Sequence, residues 1–179
     1  MNRTQYFLIA LSFLMLFSCK KDDEGDDLNT GFTLECNNVF ASPSNYQDLC
    51  GLSNFNAELL NEEDNPAGKS CVWLLSNPNS NFLYTVVMAS FTDEANTQSF
   101  YEELRLDYDE FLNETSIAVN GLGDKAFFIE GPEQDHFVMG TRKENVVISV
   151  ATSEIFFAEG CTNVKAELNQ FVSKLLSTL

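Results

Sequence analysis

Few residues of this chain could do chemistry. It holds one imidazole, His136, five cysteines, and an acidic excess of 27 Asp+Glu over 10 Lys+Arg, a formal net charge of −17 over 179 residues. His136 follows Asp135, and Ser149 or Ser153 could complete a Ser-His-Asp hydrolase arrangement, but no Gly-x-Ser-x-Gly elbow is present. Glu102, Glu103, Asp107, Asp109 and Glu110 crowd one segment. Glycoside hydrolysis by paired acids needs two carboxylates converging from separate elements, so a solvated helix face is the simpler reading. Gly68-Lys69-Ser70 copies the end of a phosphate-binding loop, yet that motif's first glycine would fall at Glu63, and the segment precedes a strand rather than a helix. The cysteines show no Cys-x-x-Cys pair and lie far in sequence from His136, which disfavours zinc. A calcium loop counted from Asp22 would have Asp27 where glycine belongs and Thr33 where glutamate belongs. No catalytic residue, metal or cofactor is assigned. A hydrolase using His136 or paired carboxylates is the alternative to a non-enzymatic protein.

Aromatic side chains offer a different chemistry, that of contact. Trp73, Phe82, Tyr84, Phe91, Phe127, Phe128 and Phe137 fall in segments that read as a packed sheet. Phe156-Phe157 follows the last expected strand and precedes Cys161. An exposed aromatic pair on a disulfide-anchored loop would suit a binding partner, so Phe156, Phe157 and Trp73 are the candidate contact residues.

The elements that must position these groups begin near Gly31, where the texture becomes globular. About 150 residues follow, enough for one hydrophobic core. Leu49, Leu52, Phe55, Leu59 and Leu60 sit close to helical spacing and predict a helix over 46–60, ended by Pro66 and Gly68. Residues 70–76 and 82–91 read as a hairpin around the Asn-rich 77–81 turn. Thr92 or Asp93 would cap a helix running to about Asn113, with Phe100, Leu104, Tyr108, Phe111 and Leu112 facing inward. Residues 116–120 and 125–130 read as strands about Gly121-Leu-Gly-Asp124, followed by strands over 136–142 and 146–152. The last helix, about 162–176, carries the clearest stripe: Val164, Leu168, Phe171, Val172, Leu175 and Leu176. The expectation is an α+β fold, order α-β-β-α-β-β-β-α, with an antiparallel sheet of about five strands and helices on one face.

Cys36, Cys50, Cys71 and Cys161 form an even set after Cys19, which favours two disulfides among three possible connectivities. The preferred arrangement pairs Cys50 with Cys71, first helix to first strand, and Cys36 with Cys161.

Ahead of this domain, Arg3 precedes an apolar run from Phe7 to Phe17, too short to cross about 30 Å of hydrocarbon as a stable helix. Leu16-Phe17-Ser18-Cys19 resembles the lipobox of bacterial lipoproteins, with Leu at −3, a small residue at −1 and Cys at +1. The resemblance implies cleavage before Cys19 and acylation of its thiol and amine, a signal peptide over 1–18 and an acylated, acidic tether over 19–30. Lys20-Lys21-Asp22-Asp23-Glu24 resembles the signal that sends lipoproteins of Bacteroidota-type bacteria to the outer leaflet of the outer membrane. A surface-exposed, lipid-anchored protein is thus expected, with a periplasm-facing one as the alternative. The charge repels phosphate backbones, which argues against nucleic acid as a partner. Membrane attachment must then come through the acyl chains and not through a basic face.

Asp48-Leu49-Cys50, Cys71-Val-Trp73 and Gly121-Leu-Gly-Asp124-Lys-Ala126 stand in an order that resembles small extracytoplasmic lipoprotein domains of unknown function related to the PknH-type sensor domain. The resemblance covers about Cys36 to Leu179 and implies an antiparallel sheet flanked by helices, a Cys50–Cys71 bridge and a ligand-binding cleft, with no catalytic residues to carry over. The expected function is a non-enzymatic envelope or cell-surface binding module for an envelope protein, glycan or small ligand. A structural envelope component is a further alternative.

Overall fold

The computed structural model describes residues 34–50, 52–77, 82–132, 136–153 and 161–179. The leader, Cys19, the tether, Asp135 and the pair Phe156-Phe157 lie outside the described residues. A short helix α1 (Cys36–Val39) and a 3-10 turn (Pro43–Tyr46) lead into the hairpin β1 (Asn56–Asn65) and β2 (Gly68–Asn77). Then come β3 (Phe82–Phe91), α2 (Glu94–Leu112), β4 (Ile117–Val119), β5 (Lys125–Glu130), β6 (His136–Lys143), β7 (Val146–Ser153) and α3 (Val164–Ser177). The strands form one seven-stranded sheet, order β1-β2-β3-β7-β6-β5-β4, with every neighbouring pair antiparallel.

The α+β class and antiparallel sheet agree with the sequence reading; the strand count, the order and the helix placement do not. The expected first helix over 46–60 is absent. Leu49, Leu52 and Phe55 bury by another route, while Leu60 is exposed on β1: Leu49 N donates to Tyr46 O at 3.0 Å and Leu52 N to Leu49 O at 3.1 Å. Successive turns repeat every three residues and so imitate a helical period. From Asn56 the chain becomes a strand, reversed at Pro66-Ala67 between the paired residues Asn65 and Gly68.

The helices occupy both faces of the sheet. One face carries Phe127, Ile129, Val138 and Val147, which pack with Tyr101, Leu104, Tyr108 and Leu112 of α2. The other carries Trp73, Tyr84, Met88, Phe128, Met139 and Val150 among others, buried beneath α3 and the 34–55 segment. Residues 126–129 are therefore buried without a break, each alternate side chain meeting a different layer.

Local chemistry fixes both long helices. Asp93 caps α2 by accepting from Asn96 N at 2.8 Å, and Asn113 ends it in the left-handed region at φ 52°. Asn163 caps α3 through Ala166 N at 3.0 Å. Glu167 in its first turn and Lys174 in its last oppose the helix dipole correctly. Lys174 also donates to Asn45 O at 2.8 Å and pairs with Asp48, tying the helix end to the turns before β1.

The bridges are Cys36–Cys71 and Cys50–Cys161. All four cysteines are paired, but the connectivity preferred from the sequence, Cys50–Cys71 with Cys36–Cys161, is overturned. The Cys50–Cys71 bridge implied by the family resemblance falls with it. That arrangement required Cys50 on a helix against β2. With 46–55 folded as turns, α1 instead lies beside β2, and Cys50 meets the segment entering α3.

Gly140 shows how tightly the α2 face is filled. It stands opposite Phe127 in the β5–β6 register, and a Cβ there would lie 2.4 Å from two ring atoms of Phe127. That ring is itself held by Tyr101 and Tyr108, at centroid distances of 5.7 and 6.5 Å. Gly140→Ala is expected to cost about 1–3 kcal/mol by overpacking, read as a lowered urea midpoint at unchanged slope. In a Phe127→Leu background the added cost of the alanine should shrink.

Candidate functional site

The contact role expected of Trp73 does not survive its placement. Its side chain is 2% exposed, and its ring meets Phe40 edge-on at a centroid distance of 5.4 Å beneath the N-terminal segment. Trp73 is a core residue.

His136 opens β6, half-buried and opposite Ser153 in the register. Ser153 Oγ is buried and makes no hydrogen bond among the described residues, so no Ser-His hydrogen bond forms. Ser149, the other serine considered, stands opposite Gly140, with its Oγ 3.4 Å from Tyr108 Oη under α2. The two serines thus lie in different rows of the sheet, and only Ser153 adjoins the imidazole. Among the described residues no group of three or more His, Cys, Asp or Glu side chains is placed to hold a metal ion.

The α2 carboxylates separate onto two sides of the helix. Glu102 and Asp109 face β4 and β5. Arg105 reaches Glu102 at 3.1 Å and Asp109 at 2.9 Å, and Lys125 lies 3.6 Å from Glu102. Partial burial works against the charge of Glu102, yet hydrogen bonds from Arg105 and Gln98 hold it below the usual carboxylate range. Asp109 also accepts from Ser116 N at 2.8 Å, so this side stitches the helix to the next strand. On the opposite side stand Glu103, Asp107 and Glu110, with no cation paired to them among the described residues. Burial pushes the Asp107 carboxyl up, and the like charges of Glu103 and Glu110 push it further.

That second side borders an uncovered part of the sheet. Helix α2 packs chiefly on β3, β5, β6 and β7, leaving the β1–β2 half of the same face without a helix among the described residues. The register defines two rows there. One runs Glu58–Leu74–Thr85–Ala151, the other Asn61–Val72–Val87–Ser149. Along β2 the contrast is regular: Cys71, Trp73, Leu75 and Asn77 are buried, while Val72, Leu74 and Ser76 between them are half-exposed. Apolar residues at both alternations of β2, Val72 and Leu74 on one face and Trp73 and Leu75 on the other, are the sequence signal for this surface.

The four described tyrosines give the packing a spectroscopic handle. Burial pushes Tyr101 and Tyr108 up to about 12, with nearby acidic charge adding to it and Tyr84 shifted in the same direction; burial also raises Tyr46. A raised folded-state value means that the native phenols keep their protons where unfolded ones lose them. For Tyr101 and Tyr108 the contribution to stability is then fully present below about pH 10 and is lost progressively as the pH rises toward about 12. Phenolate absorbance should rise together with loss of circular dichroism, not ahead of it near pH 10.

Comparison with known proteins finds no family model, no curated protein and no solved structure that matches this chain.

Proposed function

We propose that this protein is a lipid-anchored, non-enzymatic lipoprotein of the bacterial envelope or cell surface, attached through Cys19, whose folded domain is a binding module for a ligand or protein partner. The observation that carries the reading is the cysteine inventory. Four of the five cysteines close two disulfides, which suits an oxidising extracytoplasmic compartment. The one left over is Cys19, at the end of an apolar leader and after a small residue. A thiol there serves acylation, and several acyl chains at about 0.8 kcal/mol per buried CH₂ would hold the protein to a bilayer for good. The following Lys20-Lys21-Asp22-Asp23-Glu24 favours the outer leaflet of the outer membrane, and the acidic tether holds the domain away from the lipid. The order of Asp48-Leu49-Cys50, Cys71-Val-Trp73 and Gly121-Leu-Gly-Asp124, which resembles that of extracytoplasmic lipoprotein domains with no catalytic residues, favours binding over catalysis.

The test is metabolic labelling with an alkyne-bearing palmitate in a diderm bacterial host, followed by protease treatment of intact cells. Label should attach to the wild-type chain and be lost in Cys19→Ala. External protease should remove the domain while sparing a periplasmic marker. Label retained by Cys19→Ala would defeat the anchor, and a domain protected to the same extent as the marker would defeat surface exposure.

A further inference from the structure

We infer that the open β1–β2 half of the α2-bearing sheet face is a docking surface for a basic amphipathic α-helix of a partner protein. This rests on the binding-module reading and names the surface and the chemistry of what it takes. The floor is apolar at its centre, where Val72 and Leu74 stand half-exposed in adjacent rows, and it ends toward α2 at Val87, which is already buried. Both borders are negative. On one side β1 places Glu58 and Glu63 in the rows of this face; on the other, α2 presents Glu103 and Asp107. Phe111, next along that side of α2, is 54% exposed.

Three physical points fix the occupant. With strands about 4.8 Å apart, β1, β2 and the half-exposed margin of β3 at Thr85 span about 10 Å, the width of one helix. The same face is already covered, over β5–β7 and part of β3, by a helix with an apolar stripe, and sheets bury such faces under helices. Finally, an apolar floor between two acidic borders calls for an apolar stripe flanked on both sides by Lys or Arg. A second copy of this chain does not supply that. Its net charge is −17, and its exposed helix side would bring carboxylates to carboxylates.

The test uses the full chain in zwitterionic nanodiscs and a synthetic 14-residue Leu/Lys amphipathic helix carrying a benzophenone on its apolar side. Empty nanodiscs serve as the blank, and a scrambled peptide of identical composition as the control. After irradiation, crosslinks should map by mass spectrometry to Val72, Leu74, Thr85 and Phe111, and the scrambled peptide should not label them. Leu74→Glu should reduce labelling about tenfold with both disulfides and the circular dichroism intact. Glu58→Gln/Asp107→Asn should weaken it and flatten its salt dependence. Crosslinks spread over all acidic surface, equal labelling by the scrambled peptide, or a floor that stays unlabelled because other parts of this chain cover it would each overturn the inference. Should Leu74→Glu unfold, Thr85→Glu on the same row makes the same test. The readout is crosslink position, so its failure leaves the Cys19 anchor and a partner at another surface standing. Failure of the chain to enter nanodiscs through Cys19 would strike the anchored-module reading and not this site.

Discussion

Replacing Cys50 and Cys161 together by alanine should lower the stability of the folded domain by about 5 kcal/mol, the largest loss expected of any pairwise change. The bridge spans 111 residues, and opening a loop of that length returns about this much chain entropy to the unfolded state. The Cys36–Cys71 bridge spans 35 residues, and its removal should cost nearer 4 kcal/mol on the same reasoning. For a domain of this size the first loss corresponds to a fall of about 10–20 °C in Tm. Differential scanning calorimetry of the two double variants gives the order directly. The pairing itself is checked by non-reducing digestion, which should yield peptides joining Cys36 to Cys71 and Cys50 to Cys161. Under the connectivity expected from the sequence, exchanging Cys50 and Cys161 would break two bridges at once and leave Cys36 and Cys71 as free thiols. Thiol titration of the variant should find none at Cys36 or Cys71.

Phe171→Ala should be the most damaging single substitution in the core, at about 3–5 kcal/mol. Phe171 lies on the buried stripe of α3 and is 1% exposed. Its ring meets Tyr46 at 5.8 Å and Tyr84 at 5.3 Å, both edge-on. One side chain thus joins three layers: the last helix, the 3-10 turn and the sheet. Tyr46 Oη donates to Val39 O at 3.1 Å, and Tyr84 Oη to Cys50 O at 3.3 Å. A cavity at 171 therefore loosens two hydrogen bonds that hold the 34–55 segment. The expected signature is a lowered chemical-denaturation midpoint together with faster amide exchange in residues 46–52. Phe171→Leu should recover more than half of the loss. Equal loss in both would mean that ring geometry, and not volume, decides the site.

How much of this was legible depended on which physical signal each segment carried. The last helix was plain, because Val164, Leu168, Phe171, Val172 and Leu175 hold one period and all bury. The limits of α2 were plain too, since Asp93 is a capping residue, but its face was read slightly askew. Tyr101 and Thr97 are buried and Phe111 is not. The 46–55 segment misled because residues three apart serve consecutive turns as well as a helix. That error carried into the cysteine pairing, which assumed a helical Cys50. The two-sided covering of the sheet had a clue in Ala126-Phe127-Phe128-Ile129, four buried residues in a row, since a strand with one wet face alternates. The open half-face was harder to see, because it depends on where α2 crosses the sheet, and no single segment records a crossing.

The two outer strands set a limit on how these molecules meet. Strand β4 is three residues long. Strand β1 is ten, but its register slips between Leu59 and Asn61, and it carries Glu58, Glu62, Glu63 and Asp64 along its length. A short margin on one side and a bulged, charged one on the other make poor templates for a further strand. Copies crowded side by side should therefore slide past one another without zipping into a continuous sheet, and the domain stays a separate unit at high local density.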